Sequence, residues 1–350
     1  MNITFSNFYK WISLFALSFI ISFFLTPLMI FLSKKLKILD LPEERKIHKT
    51  PIPLLGGVSI YISFASVILY NFNFSLQLKG ICLGATLIFL VGLIDDIIEI
   101  PALIKLIFQV LACIILIHYG VFLTLPKFYH ILWIRILSYL LTILWVIYIT
   151  NSINFLDGID GLVTGFSSVS CLFFLIISLQ TGQLYLAYLT VILLGALLGF
   201  IKYNFYPAKI FLGDNGSTFI GFSLASFAVM GWWAENNTVV AFGTPILILS
   251  IPLFDLIYIS FSRIISKKVR NFKEWIEYVG KDHIHHRLLE KNFSQKEICF
   301  LLYSLSISLS IGAIILREIR KEEVFLIILQ VFFILLLISI LIKGGKKTFD

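Results

Sequence analysis

Charged residues are scarce in this chain. Asp, Glu, Lys and Arg make up 14% of its 350 residues, whereas apolar residues make up 59%. An average soluble domain has about 25% charged and roughly 45–50% apolar residues, so the composition excludes an ordinary soluble protein. Alternation of apolar and polar residues is also lacking, which argues against membrane-spanning strands. The chain is therefore predicted to be an all-α integral membrane protein.

Cysteine is scarce as well, and all four cysteines fall within apolar segments without C-x-x-C spacing. We expect neither a disulfide nor a zinc–thiolate site. Internal repeats, low-complexity stretches and a separate soluble domain are not found. The first apolar stretch is too long for a signal-peptide core and lacks a small-residue cleavage site, so it is expected to remain as a helix. These features predict a single polytopic membrane domain over residues 1–350.

Long apolar runs are abundant. A hydrocarbon core about 30 Å thick needs about 20 apolar residues per helix. By that criterion we predict about eleven transmembrane helices, at residues 11–33, 54–72, 80–98, 101–119, 131–150, 161–179, 183–201, 217–233, 239–261, 298–316 and 322–342.

The distribution of Lys and Arg predicts the orientation. These residues concentrate in the first loop, in the loop at 262–297 and in the C-terminal tail, and short cytoplasmic loops are the ones that retain them. The N-terminus is therefore predicted outside and the C-terminus in the cytoplasm. The net charge of +8 is first a signal of topology and gives no reason to expect a nucleic-acid partner.

Four polar clusters interrupt the apolar pattern: Ile94 to Glu99, Asn151 to Leu162, Phe211 to Ser217 and Asp282 to Leu288. The predicted topology places all four on the cytoplasmic side, although it was assigned from hydropathy and basic residues alone. Polar side chains are costly near lipid, so a chain that keeps many at its membrane boundary uses them. We predict an active site in a cleft at the cytoplasmic face.

The first two clusters are rich in carboxylates. Asp95 and Asp96 are neighbours on a helix and point about 100° apart, which predicts two separate roles; an ordinary polar helix end is the alternative. The second cluster repeats a polar residue every third position and so places its polar groups on one helical face: Asn151, Asn154, Asp157 and Asp160. Glycines such as Gly158 permit turns, and an ordinary inter-helix turn is the competing interpretation.

The third cluster carries Asp214 just before the eighth predicted span, where a role as helix cap competes with a functional one. Upstream, Asn204 could contact a phosphate or a nucleobase. Phe211 could belong to the aromatic belt of the membrane interface.

The fourth cluster contains His283, His285, His286 and Arg287. A zinc site is weakly supported, because distant aspartates would have to complete it. Contact with a phosphate or a sugar fits better, since Arg suits bidentate recognition of oxyanions; a solvated basic loop is the alternative. The preceding segment predicts a short helix at the membrane surface, with Phe272, Trp275, Ile276 and Val279 at helical spacing. Asp255, inside the ninth span, fits a buried hydrogen bond or a catalytic role.

In this order, the motifs resemble those of the polyprenyl-phosphate N-acetylhexosamine-1-phosphate transferases, glycosyltransferase family 4. The resemblance covers about residues 40–297. It rests on RKIHKTPIPLLGG (Arg45 to Gly57), the Asp95–Asp96 pair, NSINFLDGIDGL, the Asn204 to Asp214 stretch, PLFD (Pro252 to Asp255) and DHIHHRL.

The resemblance implies transfer of a sugar 1-phosphate from a UDP-amino sugar to a polyprenyl phosphate, with release of UMP and a need for Mg²⁺, or Mn²⁺ in its place. It implies Asp214 and Asn154 as metal ligands and Asp95 and Asp96 as the catalytic acidic pair. Substrate contacts would come from Lys49, Asn151, Asp157, Gly158, Asp160, Asn204, Phe211, His283, His285, His286 and Arg287, with weaker indications for Arg45, Lys46, His48 and Asp255. It also suggests a homodimer and a location in the bacterial inner membrane.

Within the family, HIHHR resembles the UDP-N-acetylglucosamine branch more than the muramoyl-pentapeptide branch, where three consecutive histidines are usual. The stretch from Lys267 to Gly280 departs from the usual pattern, so the muramoyl-pentapeptide branch is the nearest rival. A lipid or ion transporter is a rival of another class, but it would place polar residues through the membrane depth and show a repeat. The lipid phosphate is already largely dianionic at pH 7, which favours direct in-line attack over a two-step route through an aspartyl phosphate.

Overall fold

The computed structural model describes residues 5–42, 48–71, 75–124, 131–234, 237–269, 274, 278, 280, 282–318 and 323–343. The chain divides into two compact units, residues 1–232 and 233–350. Unit 1 contains α1 (Phe5–Leu36), β1 (Leu39–Asp40), β2 (Ile52–Pro53), α2 (Gly56–Asn71), α3 (Leu76–Ile98), α4 (Ala102–His118), α5 (Leu132–Leu156), α6 (Leu162–Gln180), α7 (Leu184–Asn204) and α8 (Gly213–Met230). Unit 2 contains α9 (Thr238–Ile248), α10 (Ser250–Ile265), α11 (Ile284–Leu289), α12 (Gln295–Ile315) and α13 (Val324–Lys343).

The described residues form a nearly all-helical membrane protein. Seven helices are long and apolar enough to cross a membrane, namely α1, α3, α5, α6, α7, α12 and α13. The α9–α10 pair would make an eighth if it formed one span, and α2 and α4 are apolar but shorter. Each of the eleven predicted segments overlaps a helix, yet the number of spans and their orientation stay predictions. The only strands in the described ranges are β1 and β2, which pair antiparallel over two residues each.

The predicted ninth span, residues 239–261, is wrong as one continuous helix. It is broken at Leu249 into α9 and α10, whose axes differ by 83°. Pro252 explains the break, since a proline nitrogen has no hydrogen to donate to the carbonyl four residues earlier, here that of Ile248.

Helix α8 lies at the centre of unit 1, because it packs against α2, α3 and α5 and residues 215–229 are all buried. Small residues permit this density. A Cβ at Gly57 of α2 would lie 2.2 Å from the Gly216 Cα of α8, and one at Gly92 of α3 would lie 2.7 Å from the Asn215 Cα. Close backbone approach at small residues is the usual means of helix association in lipid. The first turn of α8 is thereby fixed against its neighbours.

Helices α1 and α7 also meet through glycine. A Cβ at Gly199 would lie 2.5 Å from the Phe19 carbonyl oxygen, a backbone atom that cannot move aside.

Gly199→Leu should therefore destabilise the protein by about 3 kcal/mol or more, the upper end of overpacking costs. Gly120→Leu is the control. Gly120 has a left-handed φ of +81° but no atoms near its Cβ, so its cost should be about 1–2 kcal/mol. Unfolding of the two variants in detergent checks this prediction, and an equal loss at both sites would contradict it.

Unit 2 is organised around α12, which packs against α9, α10, α11 and α13. Its N-terminus is closed by a capping box between Ser294 and Glu297. Four residues that carry the predicted surface helix lie outside the described residues: Phe272, Trp275, Ile276 and Val279. The predictions of one polytopic domain and of a large cytoplasmic loop at 262–297 stay predictions.

Candidate active site

Asp95 and Asp96 lie in the last turn of α3 and contact different partners. One Asp95 oxygen accepts a hydrogen bond from Lys105 Nζ at 2.8 Å, and the other accepts one from the Ile100 backbone N–H at 2.6 Å. Asp96 instead contacts the start of α8. This divergence agrees with the angle of about 100° between neighbouring helix positions. The adjacent carboxylates therefore have separate tasks.

Lys105 links Asp95 to Asp214. Its ammonium lies 2.8 Å from Asp95 Oδ2 and 3.0 Å from Asp214 Oδ2. The hairpin of α3 and α4, which turns at Pro101, brings Lys105 back beside the end of α3. None of the three side chains is more than 30% exposed, so the interaction is only partly screened by solvent. Two carboxylates from different helices thus converge on one cation.

A small cleft opens beside this cation. It is lined by Ile88, Val91, Gly92, Lys105, Gln109, Asp214 and Thr218. Gln109 of α4 and Asn151 of α5 exchange two amide hydrogen bonds, at 2.8 and 3.1 Å. Asn151, predicted to bind substrate, therefore fixes the α4 wall of the cleft through Gln109.

Asp96 caps α8 from another helix. Its carboxylate accepts hydrogen bonds from the backbone N–H of Asp214 at 2.8 Å, from that of Asn215 at 3.0 Å, and from the Asn215 side-chain amide. A carboxylate at a helix N-terminus satisfies amides that have no partner within the helix and interacts favourably with the helix dipole. The capping role considered for Asp214 thus belongs to Asp96, and it fixes the backbone that carries Asp214.

Asp157 lies beside the same carboxylates at the end of α5, which packs against α8. Burial, followed by the negative charges of Asp214 and Asp96, raises the pKa of the Asp157 carboxyl well above its usual range. Asn154 is half-buried one turn earlier on α5, and its backbone oxygen accepts a hydrogen bond from the Asp157 N–H at 3.1 Å. Gly158 is exposed in the following turn.

Asn204 and Asp160 hold the segment between α7 and α8. The buried Asn204 side chain accepts a hydrogen bond from the Thr164 hydroxyl at 2.7 Å and donates one to the Ile210 carbonyl at 3.1 Å. Asp160 accepts a hydrogen bond from the Ala208 N–H at 2.8 Å, and burial raises the pKa of its carboxyl. Both side chains, predicted to contact substrate, are thus engaged in holding the segment that leads to Phe211.

Phe211 is half-buried and meets His48 edge-to-face, with ring centroids 5.3 Å apart. His48 Nε2 lies 3.5 Å from Asp40 Oδ2 of β1. The β-ribbon and the segment before α8 therefore form one wall, because the Phe211 N–H also donates to the Pro53 carbonyl of β2 at 2.8 Å.

Basic residues of the first loop are only partly described. Lys49 is exposed, as expected for a side chain available to a phosphate. Arg45 and Lys46 lie outside the described residues. Their predicted contacts with substrate stay predictions.

The histidine motif lies in unit 2, attached to α10. Asp255 Oδ2 is 2.8 Å from His283 Nδ1, and Asp255 Oδ1 accepts the Ile284 N–H at 2.8 Å. The His283 and His285 rings stack at 5.8 Å, and His285 and His286 are 4.3 Å apart. Burial, with the neighbouring histidines adding to it, lowers the pKa of His285 well below 6.5. His285 is therefore neutral at pH 7.

A buried ion pair also attaches the histidine motif to α10. Arg263 of α10 donates two hydrogen bonds to Asp282, at 2.8 and 2.7 Å, and stacks over Tyr278. Burial alone would raise the pKa of Asp282, but the Arg263 guanidinium holds it below its usual range. Arg287 donates to the Asp282 carbonyl at 2.8 Å and lies over the Tyr258 ring.

Sequence reasoning missed Lys105, Gln109 and the Arg263–Asp282 pair. The sequence offers one indication for Lys105, because it is the only Asp, Glu, Lys or Arg among the 17 residues of α4. A lone charge in an apolar segment is a functional candidate by default. The ion pair left no comparable signal, because its partners are 19 residues apart.

Apolar helices long enough to cross a membrane, with two carboxylates held on one lysine, define the class: an integral membrane protein with a polar site where its apolar helices end or begin. Glycosyl transferase family 4 matches residues 78–232. The chain is 31% identical over 308 residues to a Bacillus subtilis protein named "Probable undecaprenyl-phosphate N-acetylglucosaminyl 1-phosphate transferase", covering 87% of this chain and 84% of that one. It is 32% identical to the Escherichia coli K12 undecaprenyl-phosphate alpha-N-acetylglucosaminyl 1-phosphate transferase, covering 84% and 82%.

It is also 31% identical to the decaprenyl-phosphate N-acetylglucosaminephosphotransferase of Mycobacterium leprae, covering 81% of this chain and 78% of that protein. The chain belongs to glycosyl transferase family 4. It is a membrane-embedded enzyme, and the resemblance read from its motifs is confirmed.

Proposed function

We propose that this enzyme transfers N-acetylglucosamine 1-phosphate from UDP-N-acetylglucosamine to a polyprenyl phosphate such as undecaprenyl phosphate. An oxygen of the lipid phosphate attacks the phosphorus that bears the sugar, the bond to the UMP oxygen breaks, and UMP leaves with the bonding electrons. The observation that supports this most directly is the convergence of Asp95 and Asp214 on Lys105, found in a chain whose relatives carry names for this transfer.

The residues present fit a magnesium ion. Asp214 and Asp95 offer hard carboxylate oxygens at a position that already attracts a cation, and Asn154 would add an amide oxygen. Among the described residues no group of three or more His, Cys, Asp or Glu side chains forms a complete metal site. That suits Mg²⁺, which is commonly held by one or two carboxylates together with substrate phosphates; Mn²⁺ could replace it. When bound, the metal would neutralise charge on the pyrophosphate.

The protein groups have distinct proposed tasks. Lys105 supplies a positive charge for the pyrophosphate, as does the exposed Lys49. Asp96 holds Asp214 in place by capping α8. The wall formed by Phe211 and His48 would receive the uridine, and the histidine motif with Arg287 would contact the sugar or its phosphate.

The same proposal includes the membrane arrangement. Eleven spans, with the bent α9–α10 pair counted as one, are proposed from the apolar runs. An N-terminus outside, a C-terminus in the cytoplasm and a cleft at the cytoplasmic face are proposed from the positive-inside pattern, and a bacterial inner membrane from the family resemblance. A homodimer is proposed from the family resemblance. The cytoplasmic orientation agrees with a soluble UDP-sugar donor.

A reconstitution assay tests the reaction. Purified protein is incubated with Mg²⁺, undecaprenyl phosphate and UDP-N-acetylglucosamine, and UMP and lipid-linked sugar phosphate are both measured. We expect the two products in equal amounts and their loss with EDTA. A second arm uses UDP-N-acetylmuramoyl-pentapeptide. Turnover with that donor alone would reassign the sugar, and no turnover with any UDP-amino sugar would overturn the proposal.

A further inference from the structure

We propose that Asp255 is a positioning residue that fixes the proton position of His283 and the start of α11, and so presents the histidine motif to the donor. This inference rests on the proposed function for the motif's target. The contacts that carry it lie entirely within unit 2.

The geometry assigns the proton. Asp255 is 1% exposed and uses one carboxylate oxygen for His283 Nδ1 and the other for the Ile284 N–H, both at 2.8 Å. An ionised carboxylate can only accept hydrogen bonds, so His283 Nδ1 must carry the hydrogen. A histidine whose Nδ1–H is held in this way presents Nε2 in a fixed direction.

Asp255 lies on the buried face of α10. The buried stripe of α10 includes Asp255, Ile259 and Arg263, at the spacing of one helix face. Asp255 reaches from this stripe to His283, and Arg263 reaches from it to Asp282, the residue before. Two neighbouring residues of the motif are thus attached to one helix by two independent charged contacts.

The effect of these contacts extends along the motif. His283 stacks on His285, which is 1% exposed and has no hydrogen-bond partner on either ring nitrogen among the described residues. Among the described residues, packing therefore orients His285, and one of the two histidine rings that it packs on, His283, is the ring that Asp255 orients. Movement of His283 would reach His285 and then His286.

The test separates positioning from folding. Asp255→Asn keeps the shape, but its amide N–H would face His283 Nδ1, so the hydrogen of His283 should move to Nε2. We expect KM for UDP-N-acetylglucosamine to rise, or kcat/KM for it to fall, by about 10- to 100-fold, the usual consequence of losing a charge-assisted hydrogen bond. KM for undecaprenyl phosphate should stay within about twofold. Asp255→Ala should show the same donor effect together with lower thermal stability.

Ser260→Ala is the matched control on α10, because within the described part of the chain the Ser260 hydroxyl donates to the Leu256 carbonyl of its own helix and to nothing else. It should leave both KM values unchanged. The ¹⁵N spectrum of histidine-labelled protein reports the proton directly and needs no turnover. A hydrogen on His283 Nδ1 in the parent protein and its loss in Asp255→Asn would support the inference, even if the proposed donor were wrong. An unchanged spectrum, or equal losses for both substrates with a lowered melting temperature, would overturn it.

Discussion

Asp214→Asn should reduce the magnesium-dependent transferase activity by about 10³-fold or more. Asp214, at the start of α8, lines the cleft and contacts Lys105. It is also the proposed metal ligand. A bound metal stabilises transition-state charge by several kcal/mol, and each 1.36 kcal/mol corresponds to a factor of ten in rate. The measurement is the initial rate of UMP release over a range of Mg²⁺ concentrations.

The metal dependence distinguishes this role from a general loss of structure. Asn retains one oxygen, so the variant should require more Mg²⁺ for its residual activity while its melting temperature stays near that of the parent protein. Glu297→Gln is the control, since it neutralises an exposed carboxylate of the capping box on α12 in an isosteric way. Parent-like activity in purified Asp214→Asn would contradict the assignment.

Several site residues were predictable from the sequence because their signals are local. Asp95, Asp157 and Asp214 sit where apolar helices end or begin, and a carboxylate at such a boundary is costly unless used. The structure brings Asp95 and Asp214 to the same lysine, Lys105, and places Asp157 close enough to Asp214 for the charge of Asp214 to act on it. The α-helical class followed from the continuously apolar runs.

The remaining features depend on contacts between distant segments. Asp96 was grouped with Asp95 as a catalytic pair, yet its partners are the first amides of α8, more than a hundred residues later. Asn204 was predicted to contact a phosphate or a nucleobase, and its side chain is hydrogen-bonded to Thr164 and to the Ile210 carbonyl. Residue type and spacing identify which groups can act, but only packing decides which of them touch each other and which face the cleft.

Because Asp95 and Asp96 contact different partners, substitutions at these two residues should have different effects, and both effects should be large. Asp96→Ala should lower both stability and activity, because it leaves buried donors at the start of α8 unsatisfied at roughly 1–3 kcal/mol each. Asp95→Asn should lower activity about as much as Asp96→Ala does, but it should change the melting temperature little. Asp95 binds the half-buried Lys105 and one backbone amide, and an Asn oxygen can still accept from that amide.

Two measurements distinguish the variants: the melting temperature in detergent and kcat with saturating substrates. We expect Asp96→Ala to lose about 2–4 kcal/mol of stability, and activity by about 10²-fold because Asp214 is displaced with the first turn of α8. Asp96→Asn should recover part of the stability, since its oxygen can replace one acceptor for the Asp214 N–H or the Asn215 N–H. If Asp96→Ala were as stable as the parent and only inactive, Asp96 would act on substrate directly, and the capping contacts seen at α8 would not explain why a carboxylate is needed there.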